Sequence, residues 1–127
     1  MSVQLNHTIV WCKDKHKSSE FFAEVLGLPK PTTFGPFQVI QLENDISLDF
    51  KHTEKEIAPQ HYAFLITEKE FDEIYTRICD KNLKFWPDPS QEKLGQINHN
   101  DGGRGVYFED LDGHLLEVIT RPYGSGG

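Results

Sequence analysis

A chain of 127 residues, 37% hydrophobic and 26% charged, has the size of one ordinary domain and cannot fill two large independent cores. Thirteen Lys plus Arg against twenty Asp plus Glu give a net charge of −7 with no basic patch to set against it, which excludes a phosphate backbone or an anionic bilayer as partner. Apolar runs stop at four or five residues, far below the roughly 20 that span a bilayer, and a chain with two cysteines and no basic, then apolar, opening segment is expected in a reducing cytoplasm.

In chain order, Leu5 to Cys12 reads as the first strand, rich in β-branched and aromatic residues. Asp14 is a capping residue for a helix to Leu26 that carries Phe21, Phe22, Val25 and Leu26 on one side and stops at Gly27. Strands follow at Phe37 to Leu42 and Ile46 to Phe50, joined by a Glu43-Asn44-Asp45 turn, and then at His61 to Ile66. Thr67 to Glu70 is a capping box, and Phe71, Ile74, Tyr75, Ile78 and Cys79 recur at helical spacing, which predicts a helix over 68–81 ended by Asn82. Trp86 to Gly103 is too rich in Pro, Gly and Asn for a long element and reads as a loop with one short strand near Gln96 to His99. A loop of that length is either a binding lid or a solvated decoration. Gly105 to Glu109 and Leu115 to Thr120 are strands around an Asp112-Gly113 hairpin turn. Pro122 to Gly127 reads as a disordered tail.

The order strand, helix, strands occurs twice, and 54 positions separate His7 from His61. Strand alternation then collects unusual polar residues. Ile46, Leu48 and Phe50 claim the helix side and throw Asp49 to the other face. Tyr62, Phe64 and Ile66 do the same to His61. Glu117 stands mid-strand among aliphatics, where burial without a partner costs several kcal/mol, and His7 has the same setting. Each of four strands thus offers one ligand-capable or proton-transfer group: His7, Asp49, His61 and Glu117. Two imidazoles with one or two carboxylates bind a divalent ion and leave positions open. Taken singly, each is more simply a hydrogen-bonded strand residue.

At these residues the chain resembles the vicinal oxygen chelate superfamily, which includes glyoxalase I, extradiol dioxygenases, fosfomycin-resistance enzymes and bleomycin-resistance proteins. The matching stretches are Leu5-Asn6-His7-Thr8, Ser18-Ser19-Glu20-Phe21-Phe22 leading to Val25-Leu26-Gly27-Leu28, and Phe108-Glu109-Asp110-Leu111-Asp112-Gly113-His114-Leu115-Leu116-Glu117. The resemblance implies an α+β fold, a single domain over 1–127 made of two βαβββ modules, about 4–52 and about 60–121, curled around a cavity. It implies a divalent metal ion (Zn, Ni, Mn or Fe) held by His7, His61 and Glu117. Asp49 occupies the place of a fourth ligand in the glyoxalase branch, where Glu is usual, which leaves it as ligand, as ligand through water, or as base.

The implied function is a metal-dependent enzyme that chelates a small oxygen-rich substrate and stabilises an enediolate- or alkoxide-like intermediate. In a lyase or isomerase reading, Asp49 or Glu117 also shuttles a proton. In a ring-cleaving dioxygenase reading, His7, His61 and Glu117 hold Fe(II), and His99 and Tyr107 are candidates by type for an acid or base. Arg104 either grips a substrate anion or pairs with surface acids. Trp11 either walls a cavity or fills core. The alternative is a metal-free antibiotic-sequestering protein of the bleomycin-resistance kind, with a structural cation in a regulatory protein as a third reading. Relatives commonly pair, so a homodimer binding a small molecule is expected. His16, His52 and His114 read as solvated, and Cys12 and Cys79 as small buried hydrophobes.

Overall fold

The computed structural model describes residues 2–126, and the chain divides into two compact units, the first ending at Ala58 and the second beginning at Pro59. In the first unit the order is β1 (His7–Cys12), α1 (Lys15–Leu26), β2 (Thr32–Phe34), β3 (Phe37–Gln41) and β4 (Ser47–His52). The sheet runs β1-β4-β3-β2, with β1 parallel to β4 and the other pairs antiparallel. Asp14 takes an extended conformation, and its carboxylate accepts the amides of His16 and Lys17, each at 3.1 Å, which starts α1. Those amide bonds hold the Asp14 carboxyl below its ordinary range. Gly27, at φ 69°, closes the helix by returning its amide to the Ala23 carbonyl.

Alternation decides what α1 covers. Val10 and Cys12 on β1, Ile40 on β3, and Leu48 and Phe50 on β4 are buried together with Phe22, Ala23 and Val25 of the helix. The rings of Phe22 and Phe50 meet edge to face, 4.8 Å between centroids. The buried stripe also includes Ser18 and Ser19, small enough to bring the helix close to the sheet, whereas Phe21 is only half-buried.

The second unit repeats the plan: β5 (His61–Leu65), α2 (Glu68–Asp80), β6 (Phe85–Trp86), β7 (Gly105–Glu109) and β8 (Leu115–Ile119), in the order β5-β8-β7-β6 with β5 parallel to β8. The fold is therefore α+β, two βαβββ modules. The capping box at α2 forms as expected: the Glu70 amide reaches Thr67 Oγ1 at 3.1 Å and the Thr67 amide reaches Glu70 Oε1 at 2.8 Å. Phe71, Ile74 and Ile78 are buried, and Asn82 takes the left-handed conformation, φ 56°, just past the helix. Among the described residues no helix is long and apolar enough to cross a membrane.

Short strands escaped the sequence pattern. β2 is three exposed residues, and β6 only two, too few for alternation to register. The strand expected near Gln96 to His99 is a single bridge between Asn98 and Gly105, followed by one 3-10 turn at Asn100–Gly102. Cys79 lies exposed in the last turn of α2, contrary to expectation, because it sits one step past the Ile74 and Ile78 stripe; Cys12 is buried as expected. The tail is likewise a correction. Through Gly126 it forms a turn with the Ser125 amide on the Pro122 carbonyl at 3.1 Å, while Gly127 lies outside the described residues.

His114 is also buried rather than solvated. It closes the hairpin between β7 and β8: the Asp110 carboxylate accepts the amides of Asp112 at 2.9 Å and His114 at 2.8 Å, and His114 Nδ1 accepts the Gln60 amide at 2.9 Å. Gly113 supplies the positive φ the turn needs, 85°. The second oxygen of Asp110 is buried without a hydrogen-bond partner among the described residues. Burial accordingly holds this carboxyl above its ordinary range. The fold thus prefers its protonated form, and that contribution to stability is present below about pH 4 and lost as pH rises through the raised value. Asp110→Asn keeps an oxygen acceptor and cannot ionise. Its melting temperature should rise relative to the parent between about pH 3 and about pH 8; thermal unfolding across that range checks it, and a falling difference refutes it.

Candidate metal centre

On β8, Leu116 and Val118 face the core side and Glu117 the opposite face. Register then places Ala63 of β5 and Tyr107 of β7 on either side of Glu117, with His61 opposite Leu115. His61, Glu117 and Tyr107 therefore share one face of the second sheet. Glu117 is 0% exposed, which demands compensation for its charge.

Three groups provide it. His61 Nε2 lies 3.0 Å from Glu117 Oε1, and Tyr123, from the turn after β8, donates its hydroxyl to Glu117 Oε2. Tyr107 and Tyr123 are joined hydroxyl to hydroxyl at 2.8 Å. Since the single proton of Tyr123 goes to the carboxylate, Tyr107 is the donor in that pair, giving a relay Tyr107 to Tyr123 to Glu117. Burial first, then hydrogen bonding to Glu117 for Tyr123 and to Tyr123 and Glu117 for Tyr107, pushes both phenols above their ordinary values, so both stay protonated at neutral pH, although the Tyr107 bond works the other way on Tyr123. Tyr107, one of the two residues expected by type as an acid or base, is here a protonated hydrogen-bond donor to Tyr123. Its ring stacks on the His61 imidazole, 5.8 Å between centroids and 19° between planes.

The tautomer of His61 is set by its other nitrogen. Nδ1 lies 3.0 Å from the Leu115 carbonyl, which only accepts, so Nδ1 carries the proton. Nε2 is then the nitrogen turned toward a carboxylate oxygen. Two electron-rich atoms 3.0 Å apart repel unless a proton or a cation stands between them. A backbone carbonyl on the far nitrogen is the usual support of a ligating histidine. The donor set fits a divalent cation by its chemistry.

His7 and Asp49 belong to the first unit. His7 is exposed, its Nδ1 2.7 Å from Asn6 Oδ1, and Asp49 is half-buried and accepts the Ser47 hydroxyl at 2.8 Å. His7 pairs with Ser47 in register, so His7, Ser47 and Asp49 lie on the face of the first sheet away from α1. Among the described residues no three His, Cys, Asp or Glu side chains gather as a cation site; His61 and Glu117 are the expected ligands joined directly.

The remaining candidates are more ordinary. Arg104 bonds Glu68 through Nε and Asp72 through Nη1, each at 2.8 Å, and lies over the Phe71 ring at 4.4 Å, so its guanidinium ties the start of β7 to α2. Those two acids hold it firmly charged. Trp11 is 41% exposed with Lys51 Nζ 5.5 Å above its ring. His99 is exposed at the start of the 3-10 turn. His16 and His52 are exposed as expected, and His52 bonds Glu54 at 2.6 Å. Sequence reasoning missed Tyr123, whose one signal was an aromatic ring in a glycine-rich tail.

Comparison with known proteins extends this picture. The chain is 54% identical to a solved structure named Oxidase ChaP-H2, with a TM-score of 0.97 and complete coverage of both chains. It is 27% identical to a metallothiol transferase FosB of Lysinibacillus sphaericus, covering 94% of this chain and 84% of that protein. It is 27% identical to a glutathione transferase FosA of Serratia marcescens, covering 93% and 81%. These relatives are named as transferases and an oxidase, and the chain is an enzyme; the expected lyase or isomerase chemistry is corrected by those names. The family model for the Glyoxalase/Bleomycin resistance protein/Dioxygenase superfamily matches residues 4–118, and the chain belongs to that superfamily.

Proposed function

We propose that the chain is a metal-dependent oxidase of a small, oxygen-rich organic molecule. His61 and Glu117, both in the second unit, are its central ligands. The observation that carries this reading is the buried Glu117 carboxylate 3.0 Å from His61 Nε2, the ring nitrogen left over once Nδ1 is turned to the Leu115 carbonyl. A divalent cation held by His61 and Glu117 would supply Lewis acidity toward substrate oxygens. The chain's own residues do the rest. The Leu115 carbonyl fixes the His61 tautomer, Tyr123 and Tyr107 hold the carboxylate, and the stacked Tyr107 ring orients the imidazole.

Oxidation is favoured over thiol transfer to a phosphonate by two considerations. The 54% identical relative is named an oxidase, against 27% for the transferases. Arg104, the expected anion grip, is neutralised by Glu68 and Asp72, and a net charge of −7 repels a phosphonate.

Tag-free protein should retain stoichiometric metal by mass spectrometry and consume dioxygen with catechols or hydroquinones, and a chelator should abolish both. A metal-free protein overturns the reading. Formation of a thiol adduct of fosfomycin, with no oxygen uptake on any phenolic substrate, overturns the oxidase assignment and leaves a transferase.

A further inference from the structure

We propose that Tyr123, carried by the turn after β8, is a positioning residue of the metal centre, held in place by a clasp of the Asp101 carboxylate on the turn's backbone. The inference rests on the metal-dependent reading above. Tyr123 is 59% exposed, so burial of its ring contributes little, yet its hydroxyl reaches Oε2 of a carboxylate that is 0% exposed. A side chain mostly in solvent that bonds a fully buried acid acts through that bond.

The bond has a direction. With Oε2 engaged by Tyr123, the carboxylate presents Oε1 to His61 Nε2. Tyr107 donates to Tyr123 from behind and sets the rotamer of its hydroxyl. Without the Tyr123 hydroxyl, Oε2 would lose its direct donor, and the carboxylate would be released to rotate toward Tyr107.

The turn is built to be held. Asp101 Oδ1 accepts the amides of Gly124 at 3.0 Å and Gly126 at 3.3 Å, and Arg121 Nη2 donates to the Ser125 carbonyl at 3.2 Å. Gly124 takes φ 80°, and a Cβ on Gly126 would collide with the Asp101 carbonyl, so the close approach requires glycine. Asp101 belongs to the 3-10 turn Asn100–Gly102 at the end of the long segment between β6 and β7. That segment's role here is to supply the clasp.

The test measures metal affinity and ligand geometry apart from activity. Cobalt(II) is titrated into chelator-treated full-length protein, and its visible d–d bands are recorded for the parent, Tyr123→Phe, Asp101→Ala and Asp101→Asn. Tyr123→Phe should bind cobalt about 10–100-fold more weakly with shifted bands, while the metal-free variant keeps the parent's circular dichroism. Asp101→Ala should weaken binding in the same sense, and Asp101→Asn, which keeps the acceptor oxygen, should restore it. Parent-like affinity and bands in Tyr123→Phe overturn the positioning role and leave the metal reading intact. A parent that binds no cobalt overturns the metal reading and this inference with it.

Discussion

Glu117→Gln should lose its metal and lower activity by roughly 10³-fold or more, while the protein stays folded. The carboxylate is fully buried and meets His61, with Tyr123 on its other oxygen. Gln is nearly isosteric and its Oε1 still accepts the Tyr123 hydroxyl, so packing and that hydrogen bond survive. What goes is the negative charge that draws a cation to His61. Removing a buried charge for a neutral group of the same shape is often neutral or stabilising, so the melting temperature of the metal-free protein should hold or rise. His61→Ala should lose metal too but leaves Glu117 an uncompensated buried anion, a defect of about 3–5 kcal/mol. The two ligand variants therefore lose the same function with opposite effects on stability. Metal analysis beside thermal unfolding of the chelated proteins measures both, and retention of metal by Glu117→Gln would place the ligand set elsewhere.

Much of this centre is legible in the sequence because hairpins transmit register. The Asp112-Gly113 turn fixes Glu109 opposite Leu115, and two steps along each strand puts Tyr107 opposite Glu117. Alternation likewise separates Asp49 from Leu48 and Phe50. What alternation cannot convey is which polar residue a turn will cover. Asp110 and His114 look like solvated loop chemistry, yet the hairpin folds its own amides onto the Asp110 carboxylate and buries His114 against the Gln60 amide. Tyr123 is the stronger case. Its partners Glu117 and Tyr107 lie 6 and 16 positions back along the chain, and Asp101, which holds its turn, reaches amides 23 and 25 positions on; no local period links a turn residue to such partners. Elements as short as β6, two residues, fall below the length at which a period exists.

Phe50→Ala should cost about 3–5 kcal/mol, the largest stability loss expected in the first unit. Phe50 is 0% exposed and stands between Val10 and Gln38 in register, its ring edge-on to Phe22 of α1. Truncation removes that aromatic pair and leaves a cavity walled by a β-sheet whose strand β4 is hydrogen-bonded to β1 and β3 on its two sides and cannot collapse into it. Against a typical total of about 5–15 kcal/mol, the melting temperature should fall by roughly 10–20 °C. Phe34, in the three-residue edge strand β2, is the internal control: at 73% exposed, its Ala variant should stay within about 0.5 kcal/mol of the parent. Urea unfolding of both variants decides the matter: a loss at Phe50 below about 1 kcal/mol would mean that α1 does not seal this face of the sheet.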